Sequence, residues 1–227
     1  MPADNATTWL SWSSGKDSAW CLHVLRQRTD VTVVGLVTTV NREARRVAIH
    51  GVRETLVQAQ ADALGLPLIT VPLPQPCSNK EYEAAMEGVW ARGCEEGVTH
   101  IAFGDLFLED IRRYRETQLR STGLTPMFPI WGLDTKGLSD RMVADGLQAV
   151  VTCVDSRRLD PSFAGRVFDR SFLDDLPDGV DPCGERGEFH TLAFAGPIFR
   201  QALPIIVGER VERDGFVFAD VQLREAS

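Results

Sequence analysis

The spacing of apolar positions changes period several times along the chain, and each change predicts an element. Thr7 to Trp12 reads as a short strand that runs directly into Ser13-Ser14-Gly15-Lys16-Asp17-Ser18, and Ser18 to Arg28 has helical spacing. Val31 to Val40 is a β-branched run suited to a fully buried strand. Val52, Leu56, Ala59 and Ala63 then recur on one face of a helix that Gly65 stops, and Leu66 to Val71 returns to strand character. Val71-Pro72-Leu73-Pro74-Gln75-Pro76 excludes a helix or an inner strand, because proline removes the donors that either would need. Beyond this rigid connection the pattern predicts a helix over Asn79 to Cys94 and a strand over Thr99 to Phe103, ended by Gly104-Asp105. A charged helix over Glu109 to Thr122 follows, then an apolar stretch over Pro126 to Trp131, a helix over Lys136 to Asp145 and a strand over Leu147 to Val154.

Strands alternating with helices of this length imply right-handed βαβ units. The expected fold is α/β, a doubly wound, Rossmann-like parallel sheet. From Arg157 onward Pro, Gly and Asp become frequent and the helical period is lost, until Ile205 to Val211 and Phe216 to Val221 predict a β-hairpin turning at Asp214-Gly215. The division falls near residue 155: a main domain over 1–155, and a small C-terminal region over 156–227 that walls one side of a cleft. In a doubly wound sheet ligands bind at the carboxyl ends of the strands, where the winding reverses. The Thr7 and Thr99 strands are expected to flank that point, with Gly104-Asp105 opposite the first loop.

Composition narrows the classes. Hydrophobic residues at 44% and charged residues at 25% are those of a globular protein rather than a disordered one. The net charge of −8 repels polyanions and leaves no electrostatic footprint for nucleic acid. The five cysteines are scattered without a CxxC pair, which favours buried thiols over a disulfide framework or zinc ribbon. Met1-Pro2-Ala3-Asp4-Asn5 carries no basic leader, and no apolar run approaches the ~18 residues of a membrane helix, so a cytoplasmic protein is expected. Among the 24 basic residues only Lys16, Lys80 and Lys136 are lysine, which makes the lysine of the first loop conspicuous.

A strand, a Gly- and Ser-rich turn and a helix start together form a phosphate site, because free N–H groups and the positive helix end converge there. Gly15 allows close backbone approach, the hydroxyls of Ser13, Ser14 and Ser18 can donate, and Lys16 offsets phosphate charge. Asp17 is a candidate Mg²⁺ ligand or helix cap. Leu10 stands where a Walker A loop requires glycine, so kinase and GTPase readings lose support.

Residues 13–18 closely resemble the SGGKDS loop of the pyrophosphatase-loop ATPases, with Ser14 in place of the first glycine. If that position needs positive φ, serine is strained there. Gly104-Asp105-Leu106, Arg112, Glu116 and Pro129-Ile130-Trp131 are similar to segments of the diphthine-ammonia ligase family. Cys183-Gly184-Glu185-Arg186-Gly187-Glu188-Phe189-His190-Thr191 looks like that family's G-E-x-G-E-[YF]-[EH]-T signature. With His50-Gly51 and Gly196-Pro197-Ile198-Phe199, the resemblance spans most of residues 7 to 200.

The resemblance implies amide formation: ATP adenylates a carboxylate, pyrophosphate leaves, and ammonia displaces AMP, with ATP and Mg²⁺ as cofactors. Catalytic candidates are Lys16, Asp105, Glu185 and Glu188, the two glutamates facing one pocket as an ammonia or substrate site. ATP contacts fall to residues 13–18, Gly104 and, beside adenine, the backbone of Val37, Thr38 and Thr39. Substrate contacts fall to His50, Arg112, Glu116, His190 and Thr191, and metal ligation to Asp17 and Asp105. The two histidines are of a type able to titrate near neutrality, although a loop histidine is more often simply a hydrogen-bonding side chain. Lys16 is expected in an exposed loop, so that its loss spares the fold. The partners implied are ATP and AMP, ammonia and a carboxylic acid, either protein-borne diphthine or a small acid in cofactor metabolism. His190 stands where diphthamide-forming members tend to carry glutamate. The chain is compatible with a homodimer. Rival readings are an adenylating tRNA sulfurtransferase, which needs a reactive cysteine and a basic surface, and a non-catalytic nucleotide-sensing module.

Overall fold

The computed structural model describes residues 5–47 and 50–224. Most of the N-terminal stretch read for a leader, Met1 to Asp4, lies outside the described residues. The first strand, β1 (Ala6–Ser11), leads through the Ser- and Gly-rich turn to helix α1 (Lys16–Arg26). There follow β2 (Val31–Asn41), a short β3 (Arg46–Val47), α2 (Glu54–Leu64), β4 (Leu68–Leu73), α3 (Asn79–Glu95), β5 (His100–Ala102), α4 (Glu109–Leu119), β6 (Thr125–Met127) and α5 (Thr135–Ala144). β1 lies between β2 and β5 and is parallel to both, with Ser11 opposite Val37 and Leu10 opposite Ala102. The chain winds from β1 through β2 to β4, then returns to the other side for β5 and β6. The winding therefore reverses between β1 and β5, as expected for the α/β doubly wound, Rossmann-like sheet.

Alternation along β1 shows why both faces are covered. Leu10 points into one apolar cluster with Leu22 of α1 and Leu56 of α2. Its neighbour Trp9 points into another with Met86 and Trp90 of α3 and Leu119 of α4. The buried face of α2 is broader than the sequence expectation: Val52, Leu56 and Ala63 are buried as expected, Ala59 is half-buried, and Val57, Gln60, Ala61 and Leu64 are buried as well. Gly65 ends α2 in the left-handed region at φ 68°, which closes the helix without a Cβ clash. β4 continues through Pro72 to Leu73, and the proline is tolerated because among the described residues β4 pairs on one side only, with β2.

The next strand, β7 (Gln148–Asp155), differs from the sequence expectation. It does not extend the parallel sheet but is an inner strand of a second, antiparallel sheet with order β8-β7-β10-β9. Its partners are β8 (Phe189–Ala195) and the hairpin of β9 (Ile205–Arg213) and β10 (Phe216–Leu223), with a short helix α6 (Arg170–Asp174) before β8. β8 lies within and after the glycine-rich signature. Its FHTLAFA is mostly buried without strict alternation, so it carried no strand period to read. The hairpin turn is as expected, with Asp214 at φ 52° and Gly215 at φ 80°, the two positive angles of a type I′ turn. Val150, Leu192 and Val217 of this sheet join the Leu10 cluster, so the two sheets share one core.

Asp220 on β10 ties the hairpin to the start of α2. Its carboxylate accepts from Arg46 at 2.9 Å and from Arg53 at 2.7 Å, and these guanidiniums, Arg53 foremost, hold its pKa well below the usual carboxylate range. A depressed folded-state pKa contributes stability that is present above the unfolded-state value and is lost as pH falls toward the folded one. Asp220→Asn is expected to cost about 1 kcal/mol at neutral pH. In urea titrations the gap between variant and parent should close as the pH is lowered below about 4.

Candidate active site

The turn after β1 is shaped by one residue. Ser14 has φ 71°, so the serine in the first glycine's place does adopt the left-handed conformation, at a cost on the order of 1 kcal/mol. Its carbonyl is held by Ala193 N of β8 at 2.9 Å and by Gln60 Nε2 of α2, also at 2.9 Å. Gln60 also donates to Ala193 O at 2.6 Å and accepts from Trp12 Nε1 at 2.8 Å, so one buried amide clamps strand, turn and second sheet together. The sequence reading missed Gln60. Its signal was a glutamine on the apolar face of α2, between Leu56 and Leu64.

Gly15 is the N-cap of α1 and has no side chain of its own to cap the helix. Asp17 is therefore not a cap, and its carboxylate is free to face the cleft. A Cβ on Gly15 would lie 3.2 Å from both His50 Cε1 and Thr191 O, so this position has little room for a side chain. Thr191 Oγ1 accepts from Lys16 N at 3.0 Å and satisfies one of the orphan donors of the first turn. Ser13 and Ser18 hydroxyls are linked at 3.2 Å beside the same turn.

Lys16 is not exposed: only 2% of its side chain meets solvent, which corrects the sequence expectation. As the first residue of α1 it points inward, where the second sheet covers it. Nζ donates to Asp17 Oδ2 at 2.9 Å and to the carbonyl of Cys183, and it lies over the rings of Phe189 and Phe168 at 5.2 and 5.6 Å. Burial is the largest influence and opposes its charge, yet Asp17, Cys183 and Glu185 together outweigh it, and the ammonium pKa lies above its ordinary value.

A cleft of about 220 Å³ opens over this turn at the β1–β5 reversal. It brings together Ser13, Lys16, Asp17, Ser18, His50, Gly104, Asp105, Glu185, His190 and Thr191 from the candidates, and adds Ser11 and Arg115. Gly104 packs so closely that a Cβ there would lie 3.1 Å from the backbone of Asp17 and Ser18. Three carboxylates share the cleft. Burial raises the pKa of Asp105 against the opposing pull of Arg115, and it raises that of Asp17 against Lys16. Glu185 is pushed up to about 7, first by burial and then by Asp17 and Asp105, although Leu106 N donates to it at 2.8 Å. Asp17 Oδ1 and Asp105 Oδ2 are buried without a hydrogen-bond partner. Among the described residues no set of three or more His, Cys, Asp or Glu side chains is grouped to hold a metal by itself.

His50 and His190 pack ring to ring at 4.6 Å. Of the two readings open to them, titration near neutrality is not the one their surroundings favour. Burial lowers His50 to about 4 and takes His190 well below its ordinary value, with the charge of Lys16 acting in the same direction.

Other candidates fall outside the cleft lining. The signature's two glutamates do not face one pocket: Glu185 lines the cleft, whereas Glu188 is buried and accepts from Asp181 N at 3.3 Å. Glu188 lies in the bend before β8, where its carbonyl accepts from Asp155 N at 3.0 Å. Arg112 and Glu116 pair with each other at 2.8 Å, and Arg112 lies over Phe128 and Trp131. The residue between them that does reach the cleft is Arg115, 3.8 Å from Asp105 and stacked on Phe103. Val37, Thr38 and Thr39 sit at the carboxyl end of β2 away from the lining, and the Val37 carbonyl accepts from Trp12 N at 2.7 Å. Asp181, also missed, accepts from Cys183 N at 3.1 Å and Glu185 N at 3.2 Å, and so shapes the turn that presents the Cys183 carbonyl to Lys16. An aspartate before Pro-Cys-Gly is a turn signal that the sequence did carry.

Residues 7–126 match the diphthamide synthase N-terminal domain, and residues 134–222 match the diphthamide synthase C-terminal domain. The chain belongs to the diphthamide synthase family. Within it the chain is similar to the diphthine–ammonia ligase of Bos taurus, 28% identical over 73% of this chain and 67% of the bovine protein. The proteins of the same name from Homo sapiens (27%, over 73% and 67%) and Danio rerio (27%, over 71% and 69%) are similar to it as well. In this family member the C-terminal match covers all four strands of the second sheet, the sheet that holds the phosphate-type turn.

Two outcomes follow for the site itself. Lys16→Ala should lose about 1–3 kcal/mol in urea unfolding, because it leaves the Cys183 carbonyl and the Asp17 carboxylate buried without their partner. With ¹³C-labelled glutamate carboxyls, one resonance of the ligand-free protein should titrate near pH 7 and be missing from Glu185→Gln.

Proposed function

We propose that this chain is an ATP-dependent amide ligase of the diphthine–ammonia ligase type, which adenylates a carboxylate and transfers the acyl group to ammonia. The observation that carries the reading is the cleft itself: the start of α1 with Lys16, lined together with the carboxylates Asp17, Asp105 and Glu185, at the reversal point of the sheet. A triphosphate needs the first set, and an ammonium nucleophile needs the second. The names of the relatives support the same chemistry.

Residues 1–155 supply the nucleotide loop together with His50 and Arg115, and residues 156–227 supply Glu185, His190 and Thr191. ATP lies with its phosphates on residues 13–18 and Gly104, and with adenine toward the end of β2 near Val37 to Thr39. Asp17 and Asp105 suit Mg²⁺, because each has a buried oxygen without a partner and Mg²⁺ is characteristically bound by one or two carboxylates plus phosphate oxygens. When bound, the ion supplies positive charge to the departing pyrophosphate. Lys16 adds its own charge from the protein side.

The incoming carboxylate enters a cleft already lined by acids, so it needs a cation. Lys16 is engaged by Asp17 and Cys183, which leaves Arg115, whose Nε is buried without a partner. The carboxylate oxygen attacks the α-phosphorus and pyrophosphate leaves. Glu185, near pKa 7, takes a proton from ammonium, and the resulting ammonia attacks the acyl carbon and displaces AMP. His50, His190 and Thr191 border the acyl side as neutral groups. A second reading keeps the chemistry and replaces protein-borne diphthine with a small acid. It is favoured by His190, which is uncharged where diphthamide-forming members tend to carry glutamate.

The test is ATP–pyrophosphate exchange over a panel of carboxylic acids that includes diphthine-bearing elongation factor. Exchange should depend on one acid, and Arg115→Ala should raise KM for that acid about tenfold or more while KM for ATP changes little. Exchange that never depends on an added acid would overturn the reading.

A further inference from the structure

The two edges of the second sheet are treated differently. The β8 edge is occupied by the phosphate-type turn, through Ala193 N and the Ser14 carbonyl. The β9 edge has no partner among the described residues. Every residue of β9 after Ile205 is exposed, on both faces, including Ile206 at 46%, Val207 at 40% and Val211 at 39%. An unpaired edge is a template for another strand, and proteins that must avoid pairing spoil it with charge or a bulge; here a register shift at Gly208–Glu209 leaves Arg210 to Arg213 as the regular run beside the turn. The charges on this strand do the opposite.

Its last residues read Glu209-Arg210-Val211-Glu212-Arg213, which on reversal places an opposite charge at each charged position. Arg213 and Phe216 flank the two-residue turn and exchange hydrogen bonds across the hairpin. The register Phe216↔Arg213, Phe218↔Val211 therefore directs the backbone of Arg213 and Val211 to β10, and that of Arg210 and Glu212 outward. If two copies pair antiparallel about a two-fold axis through Val211, Arg210 of each copy meets Glu212 of the other in a hydrogen-bonded pair. Val211 then meets its own copy, while Glu209 lies at the register shift opposite Asp220, outside the regular run. Shifting the axis to Glu209, Arg210 or Glu212 places like charges against each other, which cross-strand geometry penalises. All four charged side chains are exposed, and none of the ion pairs among the described residues includes them.

We propose that β9 is a homodimer interface, in which two copies pair antiparallel through Val211 and join their second sheets into one continuous sheet of eight strands. The occupant is a second copy because the charge pattern is complementary to itself under two-fold symmetry, as an isologous contact requires.

Sedimentation velocity over a concentration series tests this with Arg210→Glu, Glu212→Arg and the double exchange R210E/E212R. The parent is expected to dimerise. Each single variant should dissociate about tenfold or more readily, and the double variant should regain parental association. An equimolar mixture of the two single variants should form heterodimers more tightly than either self-associates, an outcome that misfolding cannot imitate. A parent that stays monomeric, single variants that associate as the parent does, or a double variant and mixture that both fail to recover would overturn the proposal.

Discussion

The architecture turns on one buried charge. An ammonium removed from water is tolerated only when its donors are taken up and its charge is answered nearby. Lys16 meets that condition with groups from two parts of the chain, Asp17 beside it and the Cys183 carbonyl from far along the sequence. Asp181 shapes the turn that offers that carbonyl, and the rings of Phe168 and Phe189 close over the ammonium. The first turn of α1 thus cannot keep its geometry without the second sheet.

The same dependence explains how a serine holds the left-handed position in the turn. The strain at Ser14 is offset by two hydrogen bonds to its carbonyl, one from α2 and one from the edge of β8. Gln60 is the common element, linking Trp12, Ser14 and Ala193. A strand edge that would otherwise be exposed is spent on holding the phosphate site. That arrangement is consistent with the family match, in which an N-terminal and a C-terminal domain run consecutively along the chain.

Acidity in the cleft follows from crowding and burial acting together. Asp17, Asp105 and Glu185 come from three separate elements, and each is made a weaker acid by burial. Glu185 is pushed up to about 7 with the backbone N–H of Leu106 as the first group opposing the shift, whereas Lys16 opposes it at Asp17 and Arg115 opposes it at Asp105. The neutral His50–His190 pair lies on the same cleft under the influence of Lys16, so its rings contribute shape and hydrogen bonding rather than charge.

Much of the fold was legible because local rules decide it. The apolar period located β1, β2, α3 and α4, Gly65 marked the end of α2, and Asp214-Gly215 marked the hairpin. The loop from Ser13 to Ser18, with the order of the later motifs, was enough to indicate the chemistry. The sequence did not reveal whether β7 would join the parallel sheet or the second one, since a buried strand reads alike in both. Nor did it reveal that Glu185 and Glu188 face opposite ways, or that Arg115 rather than Arg112 reaches the cleft. Residue type and spacing are properties of a short segment and can be read along the chain. Burial, side-chain direction and the charge state of Lys16, Glu185 and the histidines depend on what distant segments place beside them, and only the tertiary structure decided those.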